Sequence, residues 1–231
     1  MGLPTLNAPL FTMILPSTGK EITYKAFTVK EEKILLMAAQ SEDFKSIGLA
    51  INQILKNCIV SDLDVDLLAV FDVEFCFIQI RSKSVGNIIK LNISDEDTGD
   101  VHMISIDVDD IKVFFPENHT NMIDLSDDMK MKMKYPSYGM VDKIGKAEIT
   151  ANDLLRSSMD KLFDKEEVFN FADYSAKEID DFVDTLSSKN MRDVETFFTS
   201  MPKVTYEIVY KTKAGETKTK KLEGLTSFFT R

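Results

Sequence analysis

Apolar and polar residues alternate from Glu21 to Phe27, behind a short run from Leu10 to Leu15 and the turn-forming Pro16-Ser-Thr-Gly19. A period of two sends successive side chains to opposite faces, so the two runs read as the strands of a hairpin. Thr28-Val-Lys-Glu31 then has the form of a capping box, in which hydroxyl and carboxylate satisfy the orphan amides of a helix start. Ile34, Leu35 and Ala38 follow as the apolar stripe of that helix. A second helix is predicted from Ser41 through Lys56, with Phe44, Ile47, Ile51, Ile54 and Leu55 on one face. Leu67 to Arg81 is apolar nearly all round. Strand and helix both fit its Val73–Ile80 part, and its length favours helix, because strands rarely exceed about ten residues. A helix apolar on most sides is buried on most sides, so this segment reads as the central helix, capped by Ser61-Asp-Leu-Asp-Val-Asp66. Asp72 and Glu74 lie inside it and need partners.

From Asn87 the period returns to two. Ile88–Ile93, Val101–Ile106 and Ile111–Phe115 read as strands, the first two joined by the acidic turn Ser94-Asp-Glu-Asp-Thr-Gly-Asp100. Lys130–Tyr135 alternates Lys and Met, which as a strand places Met129, Met131 and Met133 on one inward face. Ser137–Ile149 has no clear period and reads as a connector. Thr150-Ala-Asn-Asp153 caps a helix predicted to reach about Phe163. Ser175-Ala-Lys-Glu178 is a full capping box before Ile179, Phe182, Val183 and Leu186. Ser187 opens a last helix carrying Met191, Val194, Phe197 and Phe198, stopped at Met201-Pro202. Val204–Lys211 and Thr217–Leu222 form a hairpin around Ala214-Gly-Glu.

The fold class is therefore α+β. An N-terminal hairpin and helices stand with a small mixed or antiparallel sheet, and a helical segment and a C-terminal β-hairpin follow. The expected division is an α+β domain over residues 1–136, a connector over 137–149, and a helical region with the hairpin over 150–231, the two parts able to pack as one domain. The chain of 231 residues is long enough for a sizeable core.

Charge sharpens the picture. The net charge is −10, unevenly spread: residues 61–128 hold 16 acidic and 4 basic residues, whereas 201–231 hold 3 acidic and 7 basic. An acidic chain is repelled by nucleic acid, because phosphate contacts supply most of that affinity. A basic protein partner suits it better. No apolar stretch is long enough to span a bilayer. The start lacks the basic and apolar regions of a secretory signal. Cys58 and Cys76 then read as reduced, buried thiols of a protein made and used in a cytosol.

Candidate chemistry is sparse. The turn at Asp95, Glu96, Asp97 and Asp100 fails the calcium-loop template, with Asp100 and Ile106 where Gly and Glu are needed. Asp62, Asp64 and Asp66 fail it too. Two Cys and two His match no zinc motif. There is no Gly-x-Ser-x-Gly elbow and no phosphate-cradling Gly loop. His102 in a strand and His119 in a loop read as structural. The reading is of a non-enzyme with no catalytic residue, cofactor or metal. The alternative is a metal- or small-molecule-dependent enzyme of unfamiliar fold.

Several short segments in fixed order carry a resemblance. They are Pro16-Ser-Thr-Gly-Lys20, Val29-Lys-Glu-Glu-Lys33, Phe71-Asp-Val-Glu74, Arg81-Ser-Lys-Ser-Val-Gly86, Asp109-Asp-Ile-Lys-Val113 and Met133-Lys-Tyr-Pro136. Phe197-Phe198 with Met201-Pro-Lys203, and Leu222-Glu-Gly-Leu225 with Phe228-Phe229, complete the set. Together they resemble the baseplate hub protein family of T-even-type contractile-tailed bacteriophages, over most of the chain from Leu3 to Phe229. The resemblance implies a hub subunit or a hub assembly factor without chemistry. Its partners would be other baseplate and hub proteins, with no nucleic acid and no membrane. Its place would be the host cytoplasm during assembly, or the tail baseplate. Adaptable Met surfaces and an apolar chain end suit such contact, so Met131, Met133, Leu225, Phe228 and Phe229 are the candidate partner-binding residues.

Overall fold

The computed structural model describes residues 6, 8–40, 44–95, 97–140, 150–213 and 215–228. Its helices and small antiparallel sheets make an α+β protein. The chain divides into two units, Met1–Phe114 with Lys203–Arg231, and Phe115–Pro202. The helical region and the C-terminal hairpin expected together at 150–231 thus fall in different units. The reason is a long-range pairing that no local pattern encodes. The C-terminal strand β10 (Lys203–Lys211) adds antiparallel to β5 (Lys112–Phe114), Lys203 opposite Phe114. Most of the expected connector, residues 141–149, lies outside the described residues.

In the first unit β1 (Leu10–Ile14) and β2 (Glu21–Lys25) form the predicted hairpin, Leu10 opposite Lys25 and Ile14 opposite Glu21. Gly19 closes its turn at φ 69°, a left-handed conformation that glycine adopts without steric cost. Helix α1 (Val29–Gln40) begins at the predicted box: the Thr28 amide and hydroxyl donate to Glu31 Oε2 at 2.9 and 2.6 Å. Burial alone would raise the Glu31 pKa, but these bonds and one from Asn57 hold it below its ordinary value. Helix α2 (Phe44–Cys58) buries Ile51, Ile54 and Leu55 as the stripe required; the expected start at Ser41 lies outside the described residues.

The apolar segment is helical, as its length implied: α3 (Val70–Val85) buries Val73, Cys76, Phe77, Ile78 and Ile80 completely. The acidic run before it does not cap it. Asp64 instead caps a short 3-10 turn, Val65–Leu67, and Asp66 holds Asn52 and Lys56 at 2.8 and 2.7 Å. Strands β3 (Ile88–Ser94) and β4 (Val101–Asp107) pair as predicted around the acidic turn. β11 (Thr217–Glu223) completes the C-terminal hairpin with β10.

The second unit is a four-stranded antiparallel meander with helices. Its strands are β6 (Met122–Asp124), β7 (Lys130–Met133), β8 (Met159–Phe163) and β9 (Val168–Asn170), in that spatial order. It carries helices α4 (Ala151–Ser158), α5 (Ala176–Val183) and α6 (Ser188–Thr199), each of these opened by a complete capping box. The helix predicted to run to Phe163 stops at Ser158, and the rest is β8. The register of β8 on β7 shifts between Lys132 and Met133, a bulge that places Met159 and Leu162 in the core at a spacing of three. That spacing imitates a helical stripe. The core gathers Ile123, Met131, Met133, Met159, Phe171, Ile179, Val194 and Phe197. The Met face of β7 does point inward.

Candidate functional site

Helix α3 collects the polar anchors of the first unit. Asp72 is fully buried and accepts the Ser17 amide at 3.0 Å and the Ser17 hydroxyl, so the turn of the first hairpin is fastened to the helix. Burial pushes the Asp72 carboxyl above its usual range, and the two Ser17 bonds only partly offset that. Two residues on, Glu74 accepts the Leu225 amide at 3.0 Å and is raised for the same reason. Gly224, at φ 70°, passes so close that a Cβ there would stand 3.3 Å from Glu74 Oε1. Near the far end of α3 the Ser84 hydroxyl accepts the Phe27 amide at 2.8 Å and donates to the Ile80 carbonyl at 2.7 Å. Just beyond the helix, Asn87 donates to Asp109 at 3.1 Å. Five of the segments singled out in the sequence are thus one set of anchors on or beside one helix.

The acidic turn is a second anchor. Asp95 is buried and accepts Lys218 Nζ at 2.9 Å, the amides of Asp97 and Thr98, and the Tyr210 hydroxyl at 3.1 Å. The bonded Lys218 ammonium foremost, then those amides, holds Asp95 far below the usual carboxylate range. Lys218 also binds Asp97 at 2.6 Å, and Lys213 reaches Asp100. The basic C-terminal hairpin therefore neutralises the acidic β3–β4 turn. A surplus of lysine facing a surplus of aspartate is the signal that sequence reasoning passed over.

In the second unit three aromatic rings stack. His119 lies 5.6 Å from Tyr135 and 5.5 Å from Phe197, with Tyr135 to Phe197 at 5.7 Å. His119 Nδ1 is 3.0 Å from Ser200 Oγ, and Nε2 is 2.9 Å from the Tyr135 hydroxyl. Ser200 gives its one hydroxyl proton to the Thr196 carbonyl at 2.6 Å. Nδ1–H must then donate to Ser200, while Nε2 accepts from Tyr135. A ring in that tautomer cannot take a proton from Ser200, so the pair is not arranged as nucleophile and base. Beside it lies a cleft of about 260 Å³, lined among others by Thr120, Met122, Asp193, Phe197 and Ser200.

Burial also lowers the His119 pKa, keeping the ring neutral. The unfolded ring binds its proton near the ordinary value of about 6.5. This neutral ring therefore contributes stability above that pH, and the contribution is lost as pH falls toward the depressed folded value. We expect the urea midpoint to fall between about pH 7 and pH 5, and to fall less in His119→Gln, whose amide can keep both bonds. An unchanged pH dependence in the variant would remove His119 from this role.

A family model described as T4 bacteriophage base plate protein matches residues 8–230. The chain belongs to that family. No curated protein and no solved structure matched it. For this base plate protein the earlier resemblance holds at the level of the baseplate. Among the described residues no helix is long and apolar enough to cross a membrane. Cys58 and Cys76 are free and buried, and burial, with the Glu31 charge, pushes the Cys58 thiol up to about 12.

The candidate contact residues are placed as follows. Met131 and Met133 are fully buried beneath the helices of the second unit, so any part they play in contact passes through the sheet they hold. Leu225 is buried, and its amide is the Glu74 anchor. The Phe228 side chain and Phe229 lie outside the described residues. Exposed apolar side chains occur elsewhere, on β1 at Leu10 and Ile14 and on α1 at Val29, Leu36 and Met37.

Proposed function

We propose that this baseplate protein works by contact within the baseplate hub, as a hub subunit or as a non-enzymatic factor that assembles the hub. One observation carries the reading: α1 turns Val29, Leu36 and Met37 to solvent, with Met37 72% exposed. Their spacing puts them along one side of the helix, with Lys33 between them. An apolar helix stripe left open on a folded unit marks a protein contact rather than a reaction. Meanwhile Asp72, Glu74, Asp95 and His119 are each held in internal bonds, which leaves the enzyme alternative without support. The tail keeps a place in this proposal through Phe228 and Phe229, beyond the Leu225 anchor.

Purified virions analysed by quantitative mass spectrometry separate the two forms of the proposal. A hub subunit is present at fixed stoichiometry with other baseplate proteins; an assembly factor is absent from virions but accumulates with hub proteins in infected cells. Absence from both places would defeat the proposal.

A further inference from the structure

The outer edge of β1 is open and unguarded. Leu15 donates to Lys20 at 2.9 Å, which fixes the phase of the hairpin ladder. Residues 11 and 13 therefore bond inward to β2, and the amides and carbonyls of Leu10, Thr12 and Ile14 face away from it. Among the described residues those groups meet no partner. Their side chains share the exposed face, Leu10 at 61% and Ile14 at 59%. β2 is covered on its far side, where Tyr24 bridges Ile59, Val60 donates to the Thr23 carbonyl and the Thr23 amide donates to Ser61.

Natural sheets guard free edges with charge, proline, bulges or side-chain caps. β6 shows such caps: Thr120 Oγ1 accepts the Met122 amide at 3.1 Å, and Asn190 reaches the Asp124 carbonyl at 3.4 Å. β11 carries Lys218, Lys220 and Lys221. β1, with the sequence Leu-Phe-Thr-Met-Ile, has no charge, no proline and a regular register.

We infer that β1 pairs with β1 of a second copy of this chain, antiparallel about a two-fold axis at Thr12. The strand is its own complement. Thr12 faces Thr12, and Leu10 faces Ile14 of the other copy. Every outward-facing residue meets an outward-facing residue, so each of these pairs exchanges both main-chain bonds. No like charges oppose one another, and β-branched, threonine and leucine pairs are favourable across strands. The contact is isologous, closes at two chains, and makes a continuous β2-β1-β1-β2 sheet. A single pair of short strands is a small interface, so the dimer is reversible and depends on concentration.

Sedimentation of the full chain across a concentration series tests this first. The chain is expected to pass from one copy to two. Thr12→Lys, which places like charges face to face on the axis, should remain a single copy with its circular dichroism unchanged. Val101→Lys, on the exposed face of β4, should dimerise as the parent does. Oxidative cross-linking tests the register. The Cα atoms of two copies at position 12 stand about 5.5 Å apart in a hydrogen-bonded pair, inside the disulfide range of about 4.4–6.8 Å. Position 10 lies four residues out of register with its own counterpart, about 13 Å away. Thr12→Cys should therefore cross-link rapidly and Leu10→Cys should not. The native thiols, Cys58 and Cys76, are buried. A single copy at every concentration overturns the inference, as does a dimer that survives Thr12→Lys or equal cross-linking of the two cysteine variants. Because these readouts need no baseplate partner, they fail or succeed independently of the proposed hub role.

Discussion

Replacing Phe197 by Ala is expected to cost the Phe115–Pro202 unit about 3–5 kcal/mol. Phe197 is 1% exposed and packs in the core with Met131, Met133 and Val194. Its ring also completes the stack with His119 and Tyr135 and meets Phe198 edge-on at 5.2 Å. Truncation removes the area buried and leaves a cavity, and the aromatic contacts are lost in addition. The capping box of α6, at the other end of the helix, is untouched, so the loss is one of packing alone. Urea unfolding followed by the near-ultraviolet signal of tyrosine would report it. Phe198→Ala, at a partly buried ring, should cost clearly less. Equal losses at the two positions would show that the stack has no special weight.

Asp72 offers the other large effect, and its size depends on the replacement. Asp72→Ala leaves the Ser17 amide and hydroxyl without their acceptor, which costs about 1–3 kcal/mol for a buried donor. Asp72→Asn should cost much less. The amide oxygen can still accept the Ser17 amide, and the Ser17 hydroxyl can turn to accept from the new NH₂. The substitution also removes a charge that burial disfavours, as the raised pKa of Asp72 shows. A carboxyl with a raised folded pKa binds more protons folded than unfolded, so its contribution falls as pH rises through that window. Asp72→Asn should therefore compare best with the parent at neutral pH, where the parent's contribution has fallen, whereas the gap between Asn and Ala, neither of which titrates, should not change with pH. Unfolding midpoints and hydrogen exchange in residues 16–19 measure it. If Asn destabilises as much as Ala, the charge itself is required and the anchor has been misread.

Local elements were legible where one physical signal dominated. The three capping boxes at Thr150, Ser175 and Ser187 place their helix starts, and the length of the apolar run separates helix from strand at α3. The bulge beside Met133 hid β8, because it converts a strand's period of two into a helix-like spacing of three. β6 and β9 span three residues each, too short to show any period. The anchors were legible only in part. Asp72 and Glu74 were recognised as needing partners, but Ser17 lies 55 positions away and Leu225 lies 151. Pairings at such distances leave no periodic trace. Only the charge imbalance between residues 61–128 and 201–231 foreshadowed one of them, the grip of Lys218 on Asp95.

The contact role itself is tested most directly by capture from phage-infected cells. The tagged full chain is compared with a variant carrying Leu36→Glu and Met37→Glu on the open stripe of α1, and retained proteins are identified by mass spectrometry. The account predicts that hub proteins of the baseplate are retained by the parent, survive a moderate salt wash because the stripe is apolar, and are largely lost from the variant while its circular dichroism is unchanged. Equal retention by parent and variant, or a parent that retains no baseplate protein, would contradict it.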